Sequence, residues 1–399
     1  MITISAEAAK DSLRVRIDGD FNQGEVIRSE GGKPMRLVEP VLEVHGGGID
    51  YSAIHPDILA LIGVLAFHPV LPTEEFNLHF DFPVSDRVSK ALVQPYIVPS
   101  ARITGSRPGE PYMPRREAVL SYGGGIDSLS AHLLLPGIPR VHETPAPKAG
   151  TEYEDVVTSI LSDDPTSHVV SDNLRNLYSI WGLPLWVSVY VSSLVTQPRY
   201  IFSGSEMTGT YLDGGKGYRP RYQNRWYDVF RTIGVDVLPT SFLSEIGNAR
   251  MVHHHGRMGD AAYCTFIRQK DCDRCTKCLR RRVIRAMLDS KDEPLVENFQ
   301  RSEQIDRFLA QRRLYYGDIF THALASSPRQ SWVHDHVGDL VRHHGRIPFH
   351  DAYYAETFDH FRYPAEYREV ITSGLKEAGL APFTPEQFSR FQSYKQLPS

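Results

Sequence analysis

Residues 118–132 read AVLSYGGGIDSLSAH, and the fold class turns on this stretch. The apolar run AVLSY reads as a strand, and SLSAHLLL reads as the opening of a helix. Three consecutive glycines between them let the backbone adopt positive φ and bring its N–H groups close to an anion. The helix N-terminus adds unpaired donors and a partial positive charge, so a phosphate is the natural guest.

Further along, SHVVSD, RYIFSGSE and GVDVLPT read as strands, and residues 173–194 read as largely helical despite a Gly-Leu-Pro interruption. Strand, glycine turn and helix in repetition predict an α/β domain over residues 114–290, a parallel sheet with helices on both faces. Residues 1–113 predict a β-rich N-terminal domain. Their runs LRVRID, VLEVHG and FNLHFDF alternate apolar and polar, with one apolar helix, HPDILALIGVLAFH, among them. The Gly/Pro/Arg-rich piece TGSRPGEPYMPRRE marks the boundary, and residues 291–399 read mainly as helix.

The 399-residue length calls for more than one core. A composition of 41% hydrophobic and 23% charged residues, with net charge −4, is that of an ordinary soluble protein without an overall pull towards nucleic acid or anionic lipid. The N-terminus lacks the pattern of a secretory signal, and the longest apolar stretches, residues 58–67 and 183–195, are too short to cross a bilayer. A cytoplasmic protein without a membrane partner is expected.

Among nucleotide loops, the Walker pattern fails because GSEMTGTY has Thr210 where lysine belongs, and the dinucleotide fingerprint fails at Ser128. GGGIDS instead resembles the Ser-Gly-Gly-x-Asp-Ser loop of the PP-loop ATP pyrophosphatases at Gly124, Gly125, Asp127 and Ser128. The resemblance implies the adenine nucleotide alpha hydrolase-like fold. It also implies Mg-ATP cleaved to AMP and pyrophosphate while a substrate oxygen is adenylated, with Asp127 and Ser128 in catalytic positions. Gly123 stands where that family has its leading serine, with Ser121 two residues earlier, and both belong to the candidate nucleotide contacts.

The four cysteines, Cys264, Cys272, Cys275 and Cys278, fall within fifteen residues, CTFIRQKDCDRCTKC. Four thiolates in this spacing close a tetrahedral zinc site with no open position for chemistry. An iron–sulfur cluster is the alternative, although the proline-flanked fourth cysteine of ferredoxins is missing. The clustering points to a metal site rather than a disulfide framework.

Taken in order, the loop, the SGSE strand end and the cysteine knuckle followed by arginines resemble the 7-cyano-7-deazaguanine synthase family over residues 119–282. That resemblance implies a ligase that turns a deazaguanine carboxylate and ammonia into a nitrile with ATP. It places Gly204 and Glu206 beside the nucleotide and the four cysteines on Zn2+, and it matches Arg175-Asn176 to a pair that begins a helix. The family's Tyr-Pro-Asp-Cys-Arg segment is absent, and TYLDGGKGYRPRYQNRWYD stands there instead. With Lys216, three arginines and five aromatic residues, this segment either closes over ATP and a flat acceptor or packs its rings locally. CLRRRVIRAML reads as a helix with a basic face, solvated or holding a phosphate backbone. The histidine groups, His253-His254-His255, His334 with His336, and His343-His344, lack metal spacing.

With all four cysteines occupied, no thiol remains for sulfur transfer, so ammonia or an amine is the expected nucleophile. The acceptor is a small molecule or a macromolecule, with a protein or tRNA partner and oligomerisation left open. The extra terminal regions resemble enlarged synthase-like proteins of defence-type cassettes. Two alternatives stand beside this reading: a tRNA thiolase using an iron–sulfur cluster, and a non-catalytic ATP-binding scaffold.

Overall fold

The computed structural model describes residues 1–399 except 22–26, 29–33, 94–97, 99, 105–107, 146–163, 179–184, 213–216, 220–224, 262, 265–268, 271–274, 290–295, 297–298, 312–315, 328–331 and 395–399. The chain divides into two compact units, neither continuous in sequence. The first comprises Met1–Gly123, Ile138–Phe202 and Asn224–Val237, and the second Gly124–Gly137, Ser203–Gln223 and Leu238–Ser399.

A ten-stranded sheet organises the first unit. Its strands are β1 (Ile2–Ala8), β2 (Ser12–Gly19), β5 (Val41–Gly46), β6 (Phe76–Phe80), β7 (Ala101–Thr104), β8 (Arg116–Ser121), β9 (Arg140–Pro145), β10 (His168–Asp172), β11 (Pro198–Ser203) and β12 (Asp236–Pro239). The short strands β3 (Ile27–Arg28) and β4 (Pro34–Met35) form a separate ribbon. Across the sheet the order is β12-β11-β8-β9-β10-β5-β2-β1-β6-β7. The run β8-β9-β10 and the run β1-β6-β7 are parallel, and the stretch β10-β5-β2-β1 is antiparallel. The α/β class is therefore observed, with a mixed, mostly parallel and very large sheet.

The division does not fall at the 113/114 boundary read from composition. Strand β5 pairs directly with β10, Val44 opposite Asp172, so N-terminal strands extend the same sheet as β8-β9-β10. Alternation in β2, which buries Leu13, Val15 and Ile17, fixes which face is inward but not which edge finds a partner.

Helix α1 (Pro56–Phe67) is buried almost all round, as its unbroken apolar run requires. Its one carboxylate, Asp57, is fully buried and accepts hydrogen bonds from the backbone N–H of Ser85 (2.9 Å), the Ser85 hydroxyl (2.8 Å) and the backbone N–H of Tyr112 (2.9 Å). Ser85 is also the N-cap of α2 (Asp86–Leu92), so one buried side chain ties three segments. Helix α4 (Leu185–Leu194) packs on β8 and β9, and α6 (Arg225–Ile233) on α2. Of residues 173–194, predicted as largely helical, Leu185–Leu194 are helical, Leu174–Asn176 form a single 3-10 turn, and residues 179–184 lie outside the described residues. The 3-10 turn contains the Arg175-Asn176 pair that the resemblance matches to the start of a helix.

Among its described residues the second unit is mainly helical. Helix α3 (Ile126–Leu134) packs on α7 (Glu245–His254), α7 on α8 (Thr276–Leu288), and α8 on α10 (Gly317–Ser326). The rest are α5 (Met207–Tyr211), α9 (Glu303–Leu309), α11 (Trp332–His344), α12 (Thr357–His360), α13 (Ala365–Glu377) and α14 (Pro385–Ser393). Strands β13 (Tyr263–Cys264) and β14 (Gln269–Lys270) form an antiparallel pair, and β15 (Ala352–Tyr353) and β16 (Ala381–Pro382) a parallel one.

Candidate functional site

The glycine loop folds as the sequence requires. Gly124 takes φ of +68°, a conformation that L side chains rarely adopt, and Gly125 is the N-cap of α3. Asp127 and Ser128 fall in the first turn, and the Ser128 hydroxyl donates to the Gly125 carbonyl at 3.1 Å, bracing the loop. In the first unit, Ser121 is the buried last residue of β8, and Gly123 is exposed.

The chain leaving β11 reaches this loop. A Cβ added to Gly204 would stand 2.5 Å from the Ser128 nitrogen and 2.7 Å from the Asp127 carbonyl carbon. No side chain fits there, so only glycine lets this segment lie on the head of α3. Two residues on, Glu206 caps α5 with its side chain, Oε2 accepting from Thr208 N–H at 2.8 Å and Oε1 from Gly209 N–H. The structure thus brings Gly124, Gly125, Asp127, Ser128, Gly204 and Glu206 into one unit. Lys216 lies outside the described residues.

Several residues of this site were not visible in the sequence. Asn248 of α7 donates to Asp127 Oδ1 at 2.9 Å, and its own Oδ1 is buried without a hydrogen-bond partner among the described residues. Glu245, one turn earlier, is buried and takes Arg280 of α8 in an ion pair of 2.5 Å. The Arg280 guanidinium also lies over the Tyr316 ring, 4.1 Å from its centre. Asp318, fully buried in α10, accepts from the Thr208 hydroxyl at 3.4 Å and sits 3.3 Å from His350.

Burial among neighbouring acids disfavours ionisation of Asp127 and Glu206. Burial first, then the charge of Glu245, pushes Asp127 up to about 6, against the pull of Lys277, Arg281 and Arg280. Burial and the charges of Asp127, Glu245 and Asp318 push Glu206 up to about 8, despite its helix-capping hydrogen bonds. Burial and the neighbouring Arg281 lower Lys277. The CLRRR segment is therefore no solvated face throughout, since the Arg280 side chain is only 12% exposed.

In the 210–228 segment the described aromatic residues pack against rings distant in the sequence. Tyr211 is buried edge-on against Tyr354 and Phe391, and Tyr218 lies against Phe391. Trp226 and Tyr227, in the first unit, are also buried. A cleft of about 330 Å³ opens beside Tyr354, lined also by Glu356, Phe383 and Phe388.

Of the cysteines, Cys275 is the N-cap of α8 and Cys278 is buried in its first turn, an i, i+3 pair on one helix face. Cys264 lies on β13, opposite Gln269. Cys272 and the side chain of Cys264 lie outside the described residues, and among the described residues no group of three or more metal-ligating side chains occurs. A two-residue antiparallel ribbon followed by cysteines three apart at a helix head is a donor arrangement that fits zinc. The histidines sit elsewhere, His253 paired with Asp289 at 2.9 Å.

A protein-family profile described as "Family of unknown function (DUF6395)" matches residues 225–395. No curated protein and no solved structure matches the chain. The matched segment contains the cysteines, α7, α8 and α10, and does not include the glycine loop.

Proposed function

We propose that the second unit binds Mg-ATP at Gly124–Ser128 and transfers its AMP moiety to a carboxylate or amide oxygen, releasing pyrophosphate. The acceptor is deazaguanine-like or related, and ammonia or an amine then attacks the activated carbon and displaces AMP, as in the PP-loop ligases that the chain resembles. One observation carries this reading: the steric fit of Gly204 on the Ser128 backbone, which keeps two acidic residues, Asp127 and Glu206, close together at the glycine loop.

In this reading the loop N–H groups and the α3 terminus stabilise the leaving pyrophosphate. Asp127, which Asn248 orients, would hold Mg2+ brought in with the phosphates, and the metal's charge would favour the ionised carboxylate. Glu206 keeps its proton at neutral pH and so can donate a hydrogen bond to an anionic oxygen. Ser128 holds the loop in shape through Gly125. Cys264, Cys272, Cys275 and Cys278 would hold Zn2+ as a closed thiolate site that supplies local stability rather than chemistry.

Pyrophosphate exchange tests the adenylation step. Full-length protein is incubated with ATP, Mg2+, labelled pyrophosphate and 7-carboxy-7-deazaguanine without ammonium. Label appearing in ATP only with the acid supports adenylation of a deazaguanine carboxylate, and absence of label argues against that acceptor.

A further inference from the structure

We propose that Lys277, Arg280 and Arg281 form a cationic wall that grips the β- and γ-phosphates of a nucleoside triphosphate, making α8 the second half of the phosphate site. The inference rests on the ATP reading above and adds the residues that distinguish a triphosphate from a monophosphate.

Positions 277, 280 and 281 are spaced i, i+3, i+4, which puts all three on one face of α8. That face meets the glycine loop. The Arg281 Nη2 lies 3.8 Å from where a Cβ on Gly125 would be, beside the cap of α3. Arg280 is clamped between Glu245, at 2.5 Å, and the Tyr316 ring, at 4.1 Å, so its charge is fixed in place. Lys277 interacts electrostatically with Asp127, Glu245 and both arginines. Farther along the helix Arg285 turns away to an ordinary i, i+4 pair with Asp289.

Three cations on one half-buried face repel one another, and a bound anion relieves that repulsion. Glu245 takes up the charge of Arg280, and Asp127 offsets part of the charge of Lys277 and Arg281. A polyphosphate chain with charge of about −3 to −4 complements such a surface, and the loop donors reach it from the α3 side. A monophosphate, held by the loop alone, has no second anionic group for the wall.

Equilibrium binding of ATP and of AMP to the full-length protein tests this, using Lys277→Met, Arg281→Met and Lys277→Arg. Arg280 is left intact because Glu245 would lose its buried partner. The expected result is ATP binding weakened about tenfold or more in each Met variant, AMP binding changed by less than about twofold, and most of the ATP affinity restored in Lys277→Arg. Equal losses for ATP and AMP, or no loss in either Met variant, would overturn the wall. If the unaltered protein binds neither nucleotide, the ATP reading itself fails and the wall with it, a result distinct from failure in the variants alone.

Discussion

The α-carbon of Gly204 lies so close to Ser128 that any side chain would be driven into backbone, 2.5 Å from the Ser128 nitrogen. Backbone cannot swing aside as a flexible side chain can. Gly204→Ala should therefore push the strand end off the head of α3, destabilising the protein by about 1–3 kcal/mol and abolishing ATP binding. Thermal unfolding and nucleotide titration of this one variant check it. A variant with unchanged melting temperature and unchanged affinity would show that the contact does not matter.

Glu206 gives a pH signature. Its carboxyl is raised from the usual 4.5 to about 8 by burial and three neighbouring acids, so between those values the folded state holds a proton that the unfolded chain releases. Its contribution makes stability fall as pH rises through that window. Glu206→Gln keeps one of the two capping oxygens and removes the charge. It should be more stable than the unaltered protein at pH 8, by on the order of 1 kcal/mol or more, with the gap closing near pH 5. Melting temperatures at the two pH values decide, and a gap that is constant or reversed contradicts the assignment.

The cysteines and the proposed phosphate wall share a helix, because Cys275 caps α8 and Lys277 is the second residue after it. Cys275→Ala should release zinc, lower the melting temperature by several degrees or more, and weaken ATP binding with it. Metal analysis, thermal unfolding and nucleotide titration of the same preparation are the measurements. A zinc-free variant with undiminished ATP affinity would separate the two sites.

Asp57 offers a control in the first unit. Three donors converge on its buried carboxylate. Asp57→Ala leaves them unsatisfied and should cost about 3 kcal/mol or more in urea unfolding. A loss below about 1 kcal/mol would mean that water or a neighbour takes over the role.

Local features of this fold were legible. The period-2 runs became β2, β5 and β6, and the three glycines became a strand–helix turn with positive φ at Gly124. Sheet neighbours were not, because alternation in VLEVHG says which residues turn inward and nothing about its pairing with β10, more than a hundred residues away. The same holds for the site. Gly204 and Glu206 came from a motif, whereas Glu245 and Asn248 look like ordinary helix residues in SFLSEIGNARM. Their only signal is the i, i+3 spacing that sets both on one face of α7. Tyr316 and Asp318 join from far along the chain and carry no local mark. In CLRRR the helical period separates Arg280 and Arg281 from the rest, but only the fold tells which face meets the loop.

Cleavage of ATP between its α- and β-phosphates is the reaction proposed for this protein. α-Labelled ATP would be incubated with Mg2+, ammonium and 7-carboxy-7-deazaguanine, with the unaltered protein and with Asp127→Ala in parallel, and AMP resolved from ADP. Labelled AMP from the unaltered protein, reduced at least about a hundredfold in Asp127→Ala, is the predicted result. ADP as the product, or AMP formed equally by both proteins, would contradict it.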